Sequence, residues 1–367
     1  MPRNIHTYIH THPGNSQRKA AIILLAVIVL TLAGCHKPQP EKKVTENPQP
    51  EPAVVPESPD LPDLGIFLQE PISPFVQKRT EISPTNGSLA EALQKAENSE
   101  IILNPGKYEL TYPLTLDRNV TIRGTSSEDV TIECASGDCV FMISGGSPRL
   151  ENLKIVFHSN SSACEAVRVL GGTPTLKNCS FISNSGGGLF ILGYSTHIKV
   201  DSCVITGCGT TGILGVSGAI GEFTGCDIGN NWRGVTIGDK AKFTFQNCHI
   251  HDSEEHGVLI SKNAVGNLQD CTISRSKRFN VMADLGGEVI LTRCRISDAQ
   301  QGGVLVLRDG KGTFHGNTLK NNRNDGVETD WGIALEAKSV TGSDNQPPLP
   351  DISNPGSISG VQIYNSK

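Results

Sequence analysis

The sequence predicts an all-β chain wound as a parallel β-solenoid of about 23 residues per coil, and three periodic features carry that prediction. A cysteine returns at Cys179, Cys203, Cys226, Cys248, Cys271 and Cys294, with Asn317 next in step, at spacings of 24, 23, 22, 23, 23 and 23. A second column follows eight or nine residues later: Gly188, Gly212, Gly234, Gly257, Asn280, Gly303 and Gly326. Apolar residues alternate around both, as at Leu176, Phe181 and Leu189 or at Phe245, Ile250 and Val258. Each coil then holds three short strand-like pieces and no helix. Such pieces bury their inward side chains only when coils stack directly, about 4.8 Å apart. Because Asn is the non-glycine residue that best tolerates a left-handed backbone, Asn280 marks the glycine column as a corner with positive φ.

Before the repeats, Arg18 and Lys19 precede the apolar run "AAIILLAVIVLTLAGC", a pattern of export. Its 16 residues fall short of the roughly 20 that a spanning helix needs. "LAGC", Leu32 to Cys35, resembles the bacterial lipoprotein signal. That resemblance implies cleavage before Cys35, acylation (palmitate among the chains) and stable anchoring by more than one chain. His36 in place of Asp implies the outer membrane of a Gram-negative cell envelope. Residues 1–34 are thus expected to be a signal peptide and residues 35–80 a lipidated tether. Ten prolines between residues 36 and 75 keep that tether extended. The solenoid is expected over residues 81–345 and a C-terminal tail over 346–367.

At the entry to the solenoid, Ser88 with Glu91 three later forms a capping-box pattern, and Leu89, Ala92, Leu93 and Ala96 make an apolar stripe. A short helix there would cover the open end of the first coil. Together with bends such as "LKNCSFISNSGGG" and "LTRCRISDAQQGG", this entry resembles the right-handed parallel β-helix, pectate-lyase-like superfamily. The resemblance implies a right-handed coil and a carbohydrate-related role.

The 39 glycines against 5% aromatics fit many bends, and a net charge of -5 with pI near 6.1 argues against a general nucleic-acid partner. Ten cysteines remain beyond Cys35. The column members are read as an inner ladder of thiols, with Cys134/Cys139 and Cys203/Cys208 as the alternatives that could bridge. Cys248 recurs at the coil period rather than at a chelating spacing, so no metal centre and no cofactor are expected.

Parity then lists the outward residues. The strand after each cysteine exposes Asp227, then Asn247, His249 and His251, then Asp270, then Arg293 and Arg295. These are the candidate catalytic and binding residues: Asp227, His249, His251 and Asp270 for proton transfer, Arg293 and Arg295 for a uronate carboxylate. Asn247 adds hydrogen bonding. Solvated polar side chains on a β face are the plain alternative. Trp232 in a bend could stack on a sugar ring or simply pack the bend. Further bend residues are Arg233, Asp252, Glu254, Glu255, His256, Arg275, Lys277 and Arg278. The strand after the bend carries outward apolar residues, Phe190, Leu214, Leu259, Met282 and Leu305, which should be covered. The calcium acids of pectate lyases and the acid clusters of polygalacturonases are not matched. The expected function is therefore a membrane-anchored lipoprotein whose solenoid binds carbohydrate or envelope partners without catalysis. A polysaccharide lyase, hydrolase or epimerase acting on uronate-containing glycan is the alternative.

Cys35→Ala is expected to abolish incorporation of labelled palmitate and to shift the protein out of the membrane fraction. Unchanged labelling would remove the lipid anchor.

Overall fold

The computed structural model describes residues 78–349, apart from 86–87, 96–98, 159, 308, 325–326, 329–339 and 347. The export signal with Cys35, the proline-rich tether, Ala96, Gly326 and residues 350–367 lie outside the described residues. Each coil contributes three strands to three separate parallel sheets. Strands preceding the column cysteines form a 12-stranded sheet from Lys78–Ile82 to Val340–Ser343. Strands following those cysteines form a 10-stranded sheet from Gly106–Leu110 to Thr318–Lys320, and a 9-stranded sheet runs from Leu114–Leu116 to Gly302–Val306. They are called here the first, second and third sheets.

Registers follow the sequence period. Leu176 pairs with Val200, Phe181 with Ile205, and Leu189 with Ile213, each one coil on. The inward columns are buried from end to end. Where large side chains meet, they interleave: the Phe223 and Phe245 rings stack with centroids 4.6 Å apart, and Phe243 packs on Phe223 at 5.2 Å. The entry helix spans Ser88–Lys95 and buries Leu89, Ala92 and Leu93 against the strands Lys78–Ile82 and Gly106–Leu110, as a cap should. Ser88 is already inside the helix, and its hydroxyl accepts from the Thr85 N–H at 3.5 Å in place of the expected capping box.

Ten cysteines, Cys134 to Cys294, are buried thiols, and neither Cys134/Cys139 nor Cys203/Cys208 is bridged. The column thiols point down the coil. Cys226 Sγ donates to the Val200 carbonyl, Cys248 Sγ to Phe223 and Cys271 Sγ to Phe245, each at 3.6 Å. Asn317 takes over the same task, with Nδ2 donating to the Leu291 carbonyl at 2.9 Å and Oδ1 accepting from the Cys294 N–H at 2.8 Å. What the column requires is a small donor that reaches one rung back.

The glycine column does not mark positive φ, contrary to the sequence expectation. Positive φ falls instead on the residue before each cysteine, as at Asn178, Ser202, Gly225, Asn247, Asp270 and Arg293. It falls again four residues after the cysteine, at Asn230, Asp252, Arg275 and Asp298. Glycine recurs at the other column because the next rung passes too close: a Cβ on Gly234 would lie 2.5 Å from the Gly257 carbonyl oxygen and 2.8 Å from Ile250 Cγ2. Asn280 fits there through its amide, which donates to the Ser297 carbonyl at 2.7 Å.

On the third sheet, outward Phe190, Leu214, Leu259 and Met282 are half-buried, whereas Leu305 and Leu307 are buried. The strand carrying Leu305 contacts Arg323–Asn324, one arm of a short antiparallel pair with Val327–Glu328.

Gly234→Ala is expected to cost about 1–3 kcal/mol through the clash with the adjacent rung. Gly225→Asn, at φ 60° with only Ser202 Oγ near, should stay within about 0.5 kcal/mol of the parent. Urea denaturation midpoints check the pair, and the reverse order would reinstate the corner reading.

Candidate functional site

The second sheet positions the candidate residues through its register. Asp227 on strand Asp227–Gly229 pairs with His249 on His249–His251, which pairs with Thr272, which pairs with Arg295 on Arg295–Ser297. One outward column therefore reads Asp227, His249, Thr272, Arg295 over four successive rungs. A second column reads Gly229, His251, Ser274, Ser297 beside it. Inward Ile228, Ile250, Ile273 and Ile296 fix this parity by burial.

His251 is the centre of the arrangement. Its Nε2 lies 2.8 Å from Asp227 Oδ1 and its Nδ1 lies 2.6 Å from Asp252 Oδ2. Asp252 is in turn held by the Arg275 fork, Nε to Oδ1 and Nη2 to Oδ2, both at 2.8 Å. That fork, and then His251, hold the Asp252 carboxyl well below the usual carboxylate range. The His251 ring lies over Gly229, where a Cβ would come within 2.5 Å of Nε2. His249 stacks on it with ring centroids 4.0 Å apart and a 23° tilt, and places Nδ1 3.4 Å from Asp227 Oδ1. Desolvation, and then the adjacent His251, lower the proton affinity of His249. The His251 side chain is only 13% exposed, against 43% for His249 and 52% for Asp227, so the cluster is anchored beneath and open above.

Asn247, Asp270 and Arg293 sit apart from this column, in the positive-φ corner that precedes the second sheet. Asp270 and Arg293 are one coil apart and satisfy each other through two hydrogen bonds of 2.7 Å. Arg293 is thereby committed to Asp270, and its bond lowers the Asp270 carboxyl. The Arg295 backbone is tied into the sheet, its N–H donating to the Cys271 carbonyl at 2.9 Å, while its exposed side chain makes no hydrogen bond or ion pair with another described residue. Trp232 lies in the bend after Asp227–Gly229 with the Arg233 guanidinium 4.4 Å from its ring centroid, so one face of the indole is taken.

That bend and the two stacked on it hold a second charged group. Glu255 accepts from Arg233 and, at 3.1 Å, from Arg278 one coil on. His256 is buried beside them, stacked on Phe279 at 6.0 Å, with Nε2 3.9 Å from Glu255 Oε1 and Nδ1 without a partner among the described residues. Burial pushes His256 down to about 4.

Asp252, Arg275 and Gly229 complete the site, and sequence reading did not assign them to it. The signal was present as spacing: Asp252 to Arg275, Asp270 to Arg293, Glu254 to Lys277 and Glu255 to Arg278 each pair an acid with a base 23 residues on. In a solenoid that is the distance to the residue directly above.

Residues 118–277 and 192–343 match a family described as right handed beta helix region, which together covers more than half of the chain. Among solved structures, the Dettilon tailspike protein is similar at 12% identity and TM-score 0.53, over 74% of this chain and 65% of that one. The alginate lyase from Paenibacillus sp. str. FPU-7 is similar at 12% identity and TM-score 0.52, over 73% of this chain and 99% of that one. At these identities the likeness is one of fold. No curated protein matches the sequence.

Because His256 folds as the neutral imidazole, its contribution to stability is complete above its unfolded pKa near 6.5 and is lost as pH falls toward about 4. The loss reaches about 3 kcal/mol. His256→Phe should flatten the slope of the urea midpoint between pH 6.5 and 4, and an unaltered slope would place the titrating group elsewhere.

Proposed function

The chain belongs to the right-handed β-helix region family, and from that premise we propose an exported protein, lipid-anchored through Cys35, that binds polysaccharide along the outer face of its second sheet. The observation that carries this reading is the in-register column Asp227, His249, Thr272 and Arg295. Three rung steps span about 14 Å, enough for several sugar units laid across the strands. Along that length the column offers a carboxylate, an imidazole, a hydroxyl and an uncommitted guanidinium. Arg295 matches the carboxylate of a uronate with its planar fork, a recognition Lys would not reproduce. Flat polar surfaces of this kind suit a chain that lies along the face rather than one that enters a pocket. Solenoid exteriors present extended binding surfaces of this sort. An alginate lyase and a tailspike share the architecture, which supports a carbohydrate partner by precedent of fold and not by shared site residues.

One observation favours a catalytic second reading. Desolvation, then the neighbouring His251, lowers the proton affinity of His249 and so favours its unprotonated ring, which beside Asp227 can accept a proton from a bound sugar. In that case the face would serve a lyase or epimerase acting on uronate-containing glycan.

The protein is expected to bind members of a panel of uronate-containing polysaccharides, alginate and polygalacturonate included. Arg295→Ala should weaken binding about tenfold, the loss of one charge-assisted contact of about 1.5 kcal/mol. Unsaturated or reducing ends that appear with the parent and vanish in His249→Ala would select the catalytic reading. Neither binding nor product would remove the glycan assignment.

A further inference from the structure

The register of the second sheet brings Asp227 beside His249 and His251, one coil further along the sequence. Asp227 Oδ, one ring nitrogen of His249 and one of His251 all lie within 4.8 Å of one another. We propose that Asp227, His249 and His251 form a binding site for a single divalent transition-metal ion, with Zn2+ the ion of choice. This inference stands independently of the glycan reading.

The donor set decides the class of ion. Two imidazoles and one carboxylate suit Zn2+ and its transition-metal neighbours, whereas Ca2+ and Mg2+ take oxygen ligands. The spacing agrees. A tetrahedral ion bonded at about 2.0–2.1 Å holds its ligand atoms about 3.3 Å apart. His249 Nδ1 is 3.4 Å from Asp227 Oδ1. His251 Nε2, at 2.8 Å from the same oxygen, makes a hydrogen bond where the ion would be inserted, and needs only a small withdrawal.

The surroundings complete the argument. A metal-bound imidazole is oriented by a carboxylate on its other nitrogen, and His251 Nδ1 has that partner in Asp252 at 2.6 Å. Asp252 is fixed in turn by the Arg275 fork. The missing side chain at Gly229 leaves the hollow in which the His251 ring rests. All three donors stand on adjacent strands of a continuous sheet, which fixes their backbone positions better than loops would. With three protein ligands and an open outer side, the ion would keep at least one position for water or an anionic group.

The test is equilibrium dialysis of the full chain, stripped with chelator, against Zn2+ at neutral pH. Other histidines, including His6, His10 and His12, can contribute background, so the readout is the difference between parent and variant. The parent should bind one Zn2+ per chain more than the His249→Ala/His251→Ala double variant, whose circular dichroism should match the parent. Co2+ should give a visible absorption band in the parent that the double variant lacks. Asp252→Asn keeps all three ligands and should weaken the site about 10–100-fold. Gly229→Ala meets only the movable end of the His251 side chain, so it should fold normally and bind more weakly. Equal Zn2+ stoichiometry in parent and double variant would overturn the proposal, whether or not any polysaccharide binds.

Discussion

Direct stacking of one coil on the next, in fixed register, is the constraint from which the other features follow. A position repeated every 22 to 24 residues meets itself one rung up. Every column must therefore be compatible with its own neighbours. Inside, this selects aliphatic and aromatic ladders and a thiol column whose sulfurs reach the carbonyl of the rung below. Hydrogen bonding with the adjacent thiol, together with burial, pushes Cys248 and Cys271 up to about 12, so these groups serve as packing and weak donors rather than as nucleophiles. Cys gives way to Asn317 without a break in the ladder because both satisfy the same carbonyl acceptor.

Outside, the same constraint turns sequence period into electrostatics. Like charges one coil apart would sit about 4.8 Å from each other, and one coil on from the corner acids Asp252 and Asp270 stands a base. Asp252 under Arg275 and Asp270 under Arg293 are such pairs, with near-ideal forks at exposed sites. Exposed pairs of this kind add little stability. Their consequence is positional: Arg275 orients Asp252, Asp252 orients His251, and Arg293 is withdrawn from ligand binding. Arg295, two residues on from Arg293 and facing out of a strand rather than a corner, is left uncommitted.

Gly234 and Gly229 serve two separate tasks in this coil. At Gly234 it admits the backbone of the next rung, and at Gly229 it admits a functional side chain. Neither task involves positive φ; that conformation is assigned to the corner residues around each cysteine, among them Asn247, Asp252, Asp270 and Arg293. Four of the polar residues nearest the candidate face are therefore corner residues first. Their side chains leave the coil at an angle that strand parity alone does not give.

The sequence by itself determined the coil length, the inward columns and the outward direction of Asp227, His249, His251 and Arg295, because each of these follows from a period and an alternation. It also held the Asp-to-Arg spacings, legible once the coil length is known. It did not determine which strands lie in register to the residue, and so could not distinguish Arg293, spent on Asp270, from Arg295, which is not. Nor did it show that His251 rests on Gly229 with one carboxylate at each nitrogen. Those facts are contacts between residues a coil apart, and they arise only when backbone corners set the offset of one rung on the next.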